Sequence, residues 1–336
     1  MAGPPGPVPY FKGEAIDAMN LTREQVLDFL SENGFIVIFL LWCVLLSFTT
    51  PAFLTVSNLM IVLRQASIVA IVAIGEALIV LSGSGMDVSL ASILGLSGVL
   101  VASSMVDWGM SPWAAGCIGL VMGSAVGLFN GLLVTRMRIS GIVVTLGMMY
   151  ALEGVAFVYT KGQTIFGPAM QHLAPLSRGY LGPIPVPVML LFLFYVVAYY
   201  ILNYTVFGAH VYAIGSNERA SWLAGLNVDR LRLMCYVGAG LLAGFGGVMQ
   251  AARMGAATGG MGAEFLFPIL TAVILGGVSL SGGRGKIERV LIAAVFLAAI
   301  NNGLILLGVS IYAQKIISGV ILILALSLDR LRMVIQ

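Results

Sequence analysis

The residues of this chain that could do chemistry are few, and they sit in apolar company. Glu76 and Glu153 interrupt long hydrophobic runs, and Asp87, Asn130, Gln250, Asn301 and Asn302 add carboxylate and amide groups to similar surroundings. On membrane-insertion scales a charge in such a place costs on the order of 2.5–3.5 kcal/mol, and it persists where it is paired or faces water. Two readings are open. These groups bond neighbouring helices, or Glu76, Asp87, Asn130, Asn301 and Asn302 line a path on which amides and carboxylates exchange hydrogen bonds with a hydroxylated solute. A buried glutamate could also carry protons. No nucleophile with a base, no paired catalytic carboxylates and no metal-ligand spacing is found, so neither a catalytic residue nor a metal ligand is assigned. Cys43, Cys117 and Cys235 lie singly in apolar stretches and suggest neither disulfides nor a zinc site.

The elements that must hold these groups follow from composition. Of 336 residues 60% are hydrophobic and 9% charged, against about 25% charged in a typical globular protein. Only the bilayer accepts such a surface, and a chain crossing it must be helical or a closed barrel. Apolar runs at 34–50, 67–82, 88–106, 112–134, 140–159, 187–204, 233–251, 265–280, 290–308 and 313–328 predict an all-α polytopic membrane protein with about ten transmembrane helices, in a range of eight to ten. Those at 67–82, 265–280 and 313–328 are short enough to be tilted, broken or re-entrant.

Charge supports the alternation. With the N-terminus in the cytoplasm, Lys12, Arg23, Arg136, Arg138, Arg219, Arg230, Arg232, Arg284, Lys286, Arg289, Arg330 and Arg332 fall inside, while Arg64, Lys161, Arg178, Arg253 and Lys315 fall outside. Residues 1–32 then form a cytoplasmic N-terminal segment without a signal peptide. A short amphipathic helix within it, started by Thr22 and Gln25, lies on the membrane surface or leads into the first span. Residues 33–329 form the membrane domain, including an internal loop at 205–232, and 330–336 a cytoplasmic tail. A second long connection, near 160–186, lies outside.

Small residues recur every fourth position at Gly119, Gly123, Gly127 and Gly131, and again at Ala239, Ala243, Gly247 and Ala251. Such stripes let helix backbones approach closely. LSGSGMD at 81–87 and LSGGRGK at 280–286 are alike, as are Asn130-Gly131 and Asn302-Gly303, which leaves a duplicated half either real or fortuitous. LSGGR is one residue from the LSGGQ signature of ATP-binding-cassette ATPases, yet the phosphate-cradling G-x-x-x-x-G-K-[ST] is missing, so ATP hydrolysis is not expected here.

The internal loop carries the string AIGSNERASWLAGLNVDRLR. Asn217 suits an N-cap, Glu218 a first turn, Gly225 the left-handed position after a helix, and Asn227 the cap of the next span. A helix of about two turns is not stable alone. Its side made of Ala220, Leu223 and Ala224, with Trp222 nearby, needs the membrane surface or a partner groove.

Taken in order, AIGEALIVLSGSGMDVSLAS, GSNERASWLAGLNVDRLR, AVILGGVSLSGGRGK and NNGLILLGVSIYAQKIISGVILILAL resemble the permease subunits of ribose-type ATP-binding-cassette sugar importers, from about residue 35 to 330. The resemblance implies a cobalamin-importer-like membrane fold and a multi-pass location in the bacterial cytoplasmic (inner) membrane with both termini cytoplasmic. It implies as partners a cytoplasmic ATPase, an extracytoplasmic solute-binding protein and a second permease copy, identical or different, with no nucleic acid. It implies no cofactor in this chain, ATP and Mg being used by the partner, and a coupling role for Asn217, Glu218, Arg219, Ala220, Leu223, Ala224 and Gly225. Gly85-Met86 before Asp87, Ser89-Leu90-Ala91 after it, Glu76 and Pro268 depart from the family's pattern, so the solute is not carried over. The alternative is a proton- or sodium-coupled transporter using Glu76 and Glu153.

Overall fold

A computed structural model describes residues 23–321 and 323, with side chains from residue 35 onward. The leader, the Thr22 cap, the tail 330–336 and the last apolar run beyond residue 323 lie outside the described residues. In chain order the elements are α1 (Arg23–Thr49), α2 (Val56–Leu81), α3 (Leu90–Val106), α4 (Pro112–Thr135), α5 (Gly141–Thr160), β1 (Ile165–Phe166), α6 (Pro175–Arg178), β2 (Tyr180–Leu181), β3 (Ile184–Pro185), α7 (Val186–Tyr204), α8 (Val206–Ser216), α9 (Glu218–Leu223), α10 (Val228–Met254), β4 (Ala256–Ala257), α11 (Leu266–Leu275), α12 (Ile287–Leu306) and α13 (Ile311–Ile321).

Each of the ten predicted runs is helical over most of its described residues, an all-α polytopic architecture. Among the described residues six helices, α2, α4, α5, α7, α10 and α12, are long and apolar enough to cross a bilayer. Four of the predicted runs are shorter: the Phe35–Thr49 part of α1, α3, α11 with its lead-in turn, and α13. Two boundaries differ from expectation. The charged segment from Arg23 runs without a break into the first apolar run, so residue 33 lies mid-helix. The second span starts at Val56 rather than 67, because Arg64 and Gln65 depress the hydropathy of a stretch that Thr55 nonetheless caps by accepting the Asn58 amide.

The loops segregate to two ends, as the alternation requires. At one end Arg64 meets the Tyr180 hydroxyl with its guanidinium 4.9 Å from the ring centre, and Arg178 donates to the Arg253 carbonyl at 2.6 and 3.0 Å. There β1 also pairs with β4, antiparallel, Ile165 opposite Ala257. At the other end the Gly283 amide donates to the Leu81 carbonyl at 2.9 Å, Tyr212 to the Gly285 carbonyl at 3.0 Å, and Arg138 pairs with Asp229 at 3.2 Å. The LSGSG and LSGGR strings therefore touch through backbone. Gly282 has a φ of +86°, and a side chain there would meet Gly83 Cα at 2.7 Å.

Helix α10 is the axle of the bundle and packs on α4, α3 and α2. Its small residues serve two faces. The predicted stripe turns toward α2 and α3: Ala239 Cα would lie 2.7 Å from a methyl at Gly75, and Gly247 meets Ser97 and Gly98 of α3. Gly123, Gly127 and Gly131 of α4 instead face Tyr236, Gly240 and Gly244, while an added methyl at Gly244 falls 2.6 Å from the Gly119 carbonyl. Helix α10 therefore carries two small-residue faces, of which the period-four alanines are only one.

Candidate functional site

Helices α2, α3, α4, α5 and α10 enclose a polar cluster near the LSGSG loop. Glu76 is 0% exposed, and both its carboxylate oxygens accept the Asp87 amide, at 3.1 and 3.2 Å. Asp87, 2% exposed, accepts from the Ser89 amide at 2.8 Å and from its hydroxyl at 2.6 Å. Asn130 on α4 donates to that hydroxyl at 2.9 Å, and Thr145 on α5 accepts the Val88 amide at 3.3 Å. These bonds satisfy the turn that leads into α3, where backbone groups have no ladder partner. Glu76, Asp87 and Asn130, widely spaced in sequence, thus meet in one buried constellation.

Asn302 lies elsewhere. It exchanges two hydrogen bonds of 2.9 Å with Asn58, which also donates to the Phe53 carbonyl at 2.9 Å, and so fixes α12 to the start of α2. Asn301, its neighbour in sequence, points around the helix to a different setting. It lines a cavity of about 460 Å³ whose polar wall includes Gln65, Arg253, Glu264, Thr271 and Gln314. Glu264 there accepts from Gln250 at 3.3 Å. The cavity offers amide, hydroxyl, carboxylate and guanidinium groups beside apolar Val69, Phe265 and Leu297. Donors and acceptors of both kinds set among apolar surfaces suit a hydroxylated ring better than an ion. Apart from Asn301 none of these polar residues stands out in the sequence as lining a path. Gln65 falls just before the predicted run that begins at 67 and Arg253 just after the one that ends at 251, where polarity reads as a boundary. Glu153 lines a separate cavity of about 240 Å³ with Ser92 and Tyr150.

The internal loop is helical for most of its length. Helix α8, apolar and eleven residues long, fills what reads as a polar connection. The next helix, α9, has the expected caps: the Asn217 side chain accepts the Ala220 amide at 2.9 Å, and the Asn227 side chain accepts the Arg230 amide at 3.0 Å to start α10. Gly225 takes a φ of +87°, with its amide and that of Leu226 returning to the carbonyls of Trp222 and Ser221. Glu218 falls in the first turn, where the helix dipole favours an anion. Trp222 is 66% and Leu223 70% exposed, and Arg219, Ala220 and Ala224 are exposed beside them. A crevice of about 970 Å³, lined by Arg138, Arg219, Trp222 and Asp229 among others, opens alongside.

Comparison with known proteins fits this architecture. Residues 58–326 match the family described as "Branched-chain amino acid transport system / permease component". The chain is 37% identical over 305 residues to the ribose import permease protein RbsC of Escherichia coli (strain K12), covering 89% of this chain and 94% of that protein. It is 37% identical over 288 residues to RbsC of Bacillus subtilis (strain 168), covering 85% and 89%. It is 34% identical over 310 residues to the L-arabinose ABC transporter permease protein AraH of Azospirillum brasilense, covering 92% and 91%. No solved structure matches it. With a bundle of apolar helices among the described residues and a family match over 58–326, the chain belongs to the branched-chain amino acid transport system / permease component family.

Proposed function

We propose that this chain is the membrane permease subunit of an ATP-driven importer and forms the path for a sugar or a related small polar solute. The observation that carries the reading is similarity along almost the whole chain to permeases named for ribose and arabinose. It favours a sugar over the amino acids of the family's description, and ATP-driven import over the ion-coupled alternative. Glu76, which motivated that alternative, has both oxygens committed to the Asp87 amide.

In this reading Asn301 and the cavity around it belong to the solute path, while Glu76, Asp87, Asn130 and Asn302 hold the helices that shape it. The chain hydrolyses nothing. ATP and Mg are used by a cytoplasmic ATP-binding-cassette ATPase that receives α9, with Asn217, Glu218, Arg219, Ala220, Leu223, Ala224 and Gly225 forming the coupling element. Solute arrives from an extracytoplasmic binding protein, and a second permease copy, identical in the simplest case, completes the channel. The chain lies in the bacterial inner membrane with both termini cytoplasmic, which puts the α9 end inside.

Copurification with an ATPase and reconstitution in liposomes test this. Leu223→Asp or Ala224→Asp should abolish ATP-driven uptake while the permease still folds. Unchanged hydrolysis and uptake in both variants would remove α9 from the interface, and uptake by the lone chain under an ion gradient would favour the ion-coupled mechanism.

A further inference from the structure

We propose that Arg232 is a positioning residue for transport, a strut that ties the ATPase-docking helix to the end of α2 and passes its movement to the turn holding Asp87. The proposal rests on the reading of α9 as the docking helix.

The geometry is that of one planar group with two anchors. Arg232 stands on the second turn of α10 and its side chain is 12% exposed. Its Nη2 donates to Glu218, the first residue of α9, at 2.8 Å, and its Nε donates to the carbonyl of Ser82, the C-cap of α2, at 3.3 Å. Gly83, with a φ of +73°, lies beside the guanidinium: an added methyl would stand in ordinary contact with Nη2 at 3.6 Å and press on Gly215 Cα at 3.2 Å. From Ser82 the chain runs only to Asp87 before its amide is held by Glu76. Displacement of α9 thus has a short route into the buried cluster.

Stability alone does not account for the arrangement. Glu218 remains 49% exposed, and an ion pair with one exposed partner contributes little. What a guanidinium adds is direction, because its donors lie in one rigid plane and can hold two acceptors in fixed relation. A lysine ammonium supplies charge without that plane. A neighbouring link, from the Ser216 hydroxyl at the end of α8 to the Gly283 carbonyl at 3.3 Å and from the Gly283 amide to Leu81, reaches α2 through glycine backbone. Arg232 therefore makes a side-chain connection between α9 and α2.

The test uses the copurified permease–ATPase complex in liposomes, with solute taken up per ATP hydrolysed as the readout. Arg232→Ala should assemble with the ATPase yet lower that ratio by on the order of 5- to 150-fold, the span of a typical coupling free energy. Arg232→Lys should fail similarly. Glu218→Arg combined with Arg232→Glu, which restores the ion pair but not the Ser82 contact, should recover at most part of the loss. Hydrogen exchange in the variants should rise at the amides of residues 82–88. Wild-type uptake per ATP in Arg232→Lys overturns the forked role even if Arg232→Ala does not assemble. Full coupling in Arg232→Ala overturns the strut altogether. Leu223→Asp separates the two readings: if it blocks docking while Arg232→Ala remains coupled, α9 still docks and the strut is wrong. If Leu223→Asp leaves docking intact, the assignment of α9 itself fails.

Discussion

Asn58 and Asn302 hold each other by two reciprocal hydrogen bonds, each amide donating to the other's oxygen at 2.9 Å, in a buried contact between the start of α2 and the latter half of α12. Removing one amide leaves its partner with an unsatisfied buried oxygen. Asn302→Leu should therefore destabilise the protein by about 1–3 kcal/mol. Adding Asn58→Leu to it should cost less than the two single changes summed. Unfolding of the detergent-solubilised variants, read as a double-mutant cycle, measures the coupling, and strict additivity would show the pair to be unimportant.

Asn301→Leu should behave in the opposite way. Its side chain faces the cavity shared with Gln65 and Glu264, so uptake should fall several-fold while the unfolding midpoint stays near that of the wild type. Uptake at the wild-type rate would place the solute path elsewhere.

Glu76 accepts one backbone amide with two oxygens, and a glutamine retains an oxygen for it. Glu76→Gln should thus be tolerated in both assembly and uptake. Glu76→Leu strands the Asp87 amide and should cost about 1–3 kcal/mol or more. Loss of uptake in a stable Glu76→Gln protein would mean that the charge itself takes part in transport.

The close approach of α4 and α10 predicts a contrast between glycines. At Gly244 an added methyl meets the Gly119 carbonyl at 2.6 Å, whereas at Gly147 on α5 it meets nothing within 4 Å. Gly244→Ala should destabilise by about 1–3 kcal/mol through overpacking. Gly147→Ala should be neutral or stabilise by about 0.5–1 kcal/mol through helix propensity. Thermal unfolding of the two proteins side by side gives the answer.

Orientation is open to labelling. In a background lacking Cys43, Cys117 and Cys235, a cysteine replacing Lys286 should react with an impermeant maleimide only after the cells are opened, and one replacing Lys161 in intact cells. The reverse pattern would invert the whole bundle, since the loops already divide consistently between its two ends.

Much of this architecture is legible in the chain because its physics is local. Apolar runs, the caps at Asn217 and Asn227 and the left-handed Gly225 depend on neighbours a few residues away, and the helices form where those signals stand. What is not legible depends on contacts distant in sequence. Nothing in the strings around Glu76, Asp87 and Asn130 says that they meet, or that adjacent Asn301 and Asn302 turn to different surroundings. Gly240 and Gly244 are also four apart, but they make only a pair beside the longer 239–251 stripe; α10 is buried on more than one side, and a helix surrounded by neighbours has no single periodic face. Arg64 shortens the apparent second span because a hydropathy window counts its charge and not the tyrosine that receives it.

The separation of Asn58 from Asn302 also has a consequence for biogenesis. Their amides lie 244 residues apart, and α2 packs against α10, α11 and α12, all made late. At synthesis rates of about 5–20 residues per second, α2 waits roughly 12–50 s in the membrane before its last partner emerges from the ribosome. During that interval Asn58 faces lipid, water or insertion machinery instead of the Asn302 amide that finally holds it. The nascent chain is thus most exposed to membrane proteases and holding factors while its second helix is complete and its twelfth is not.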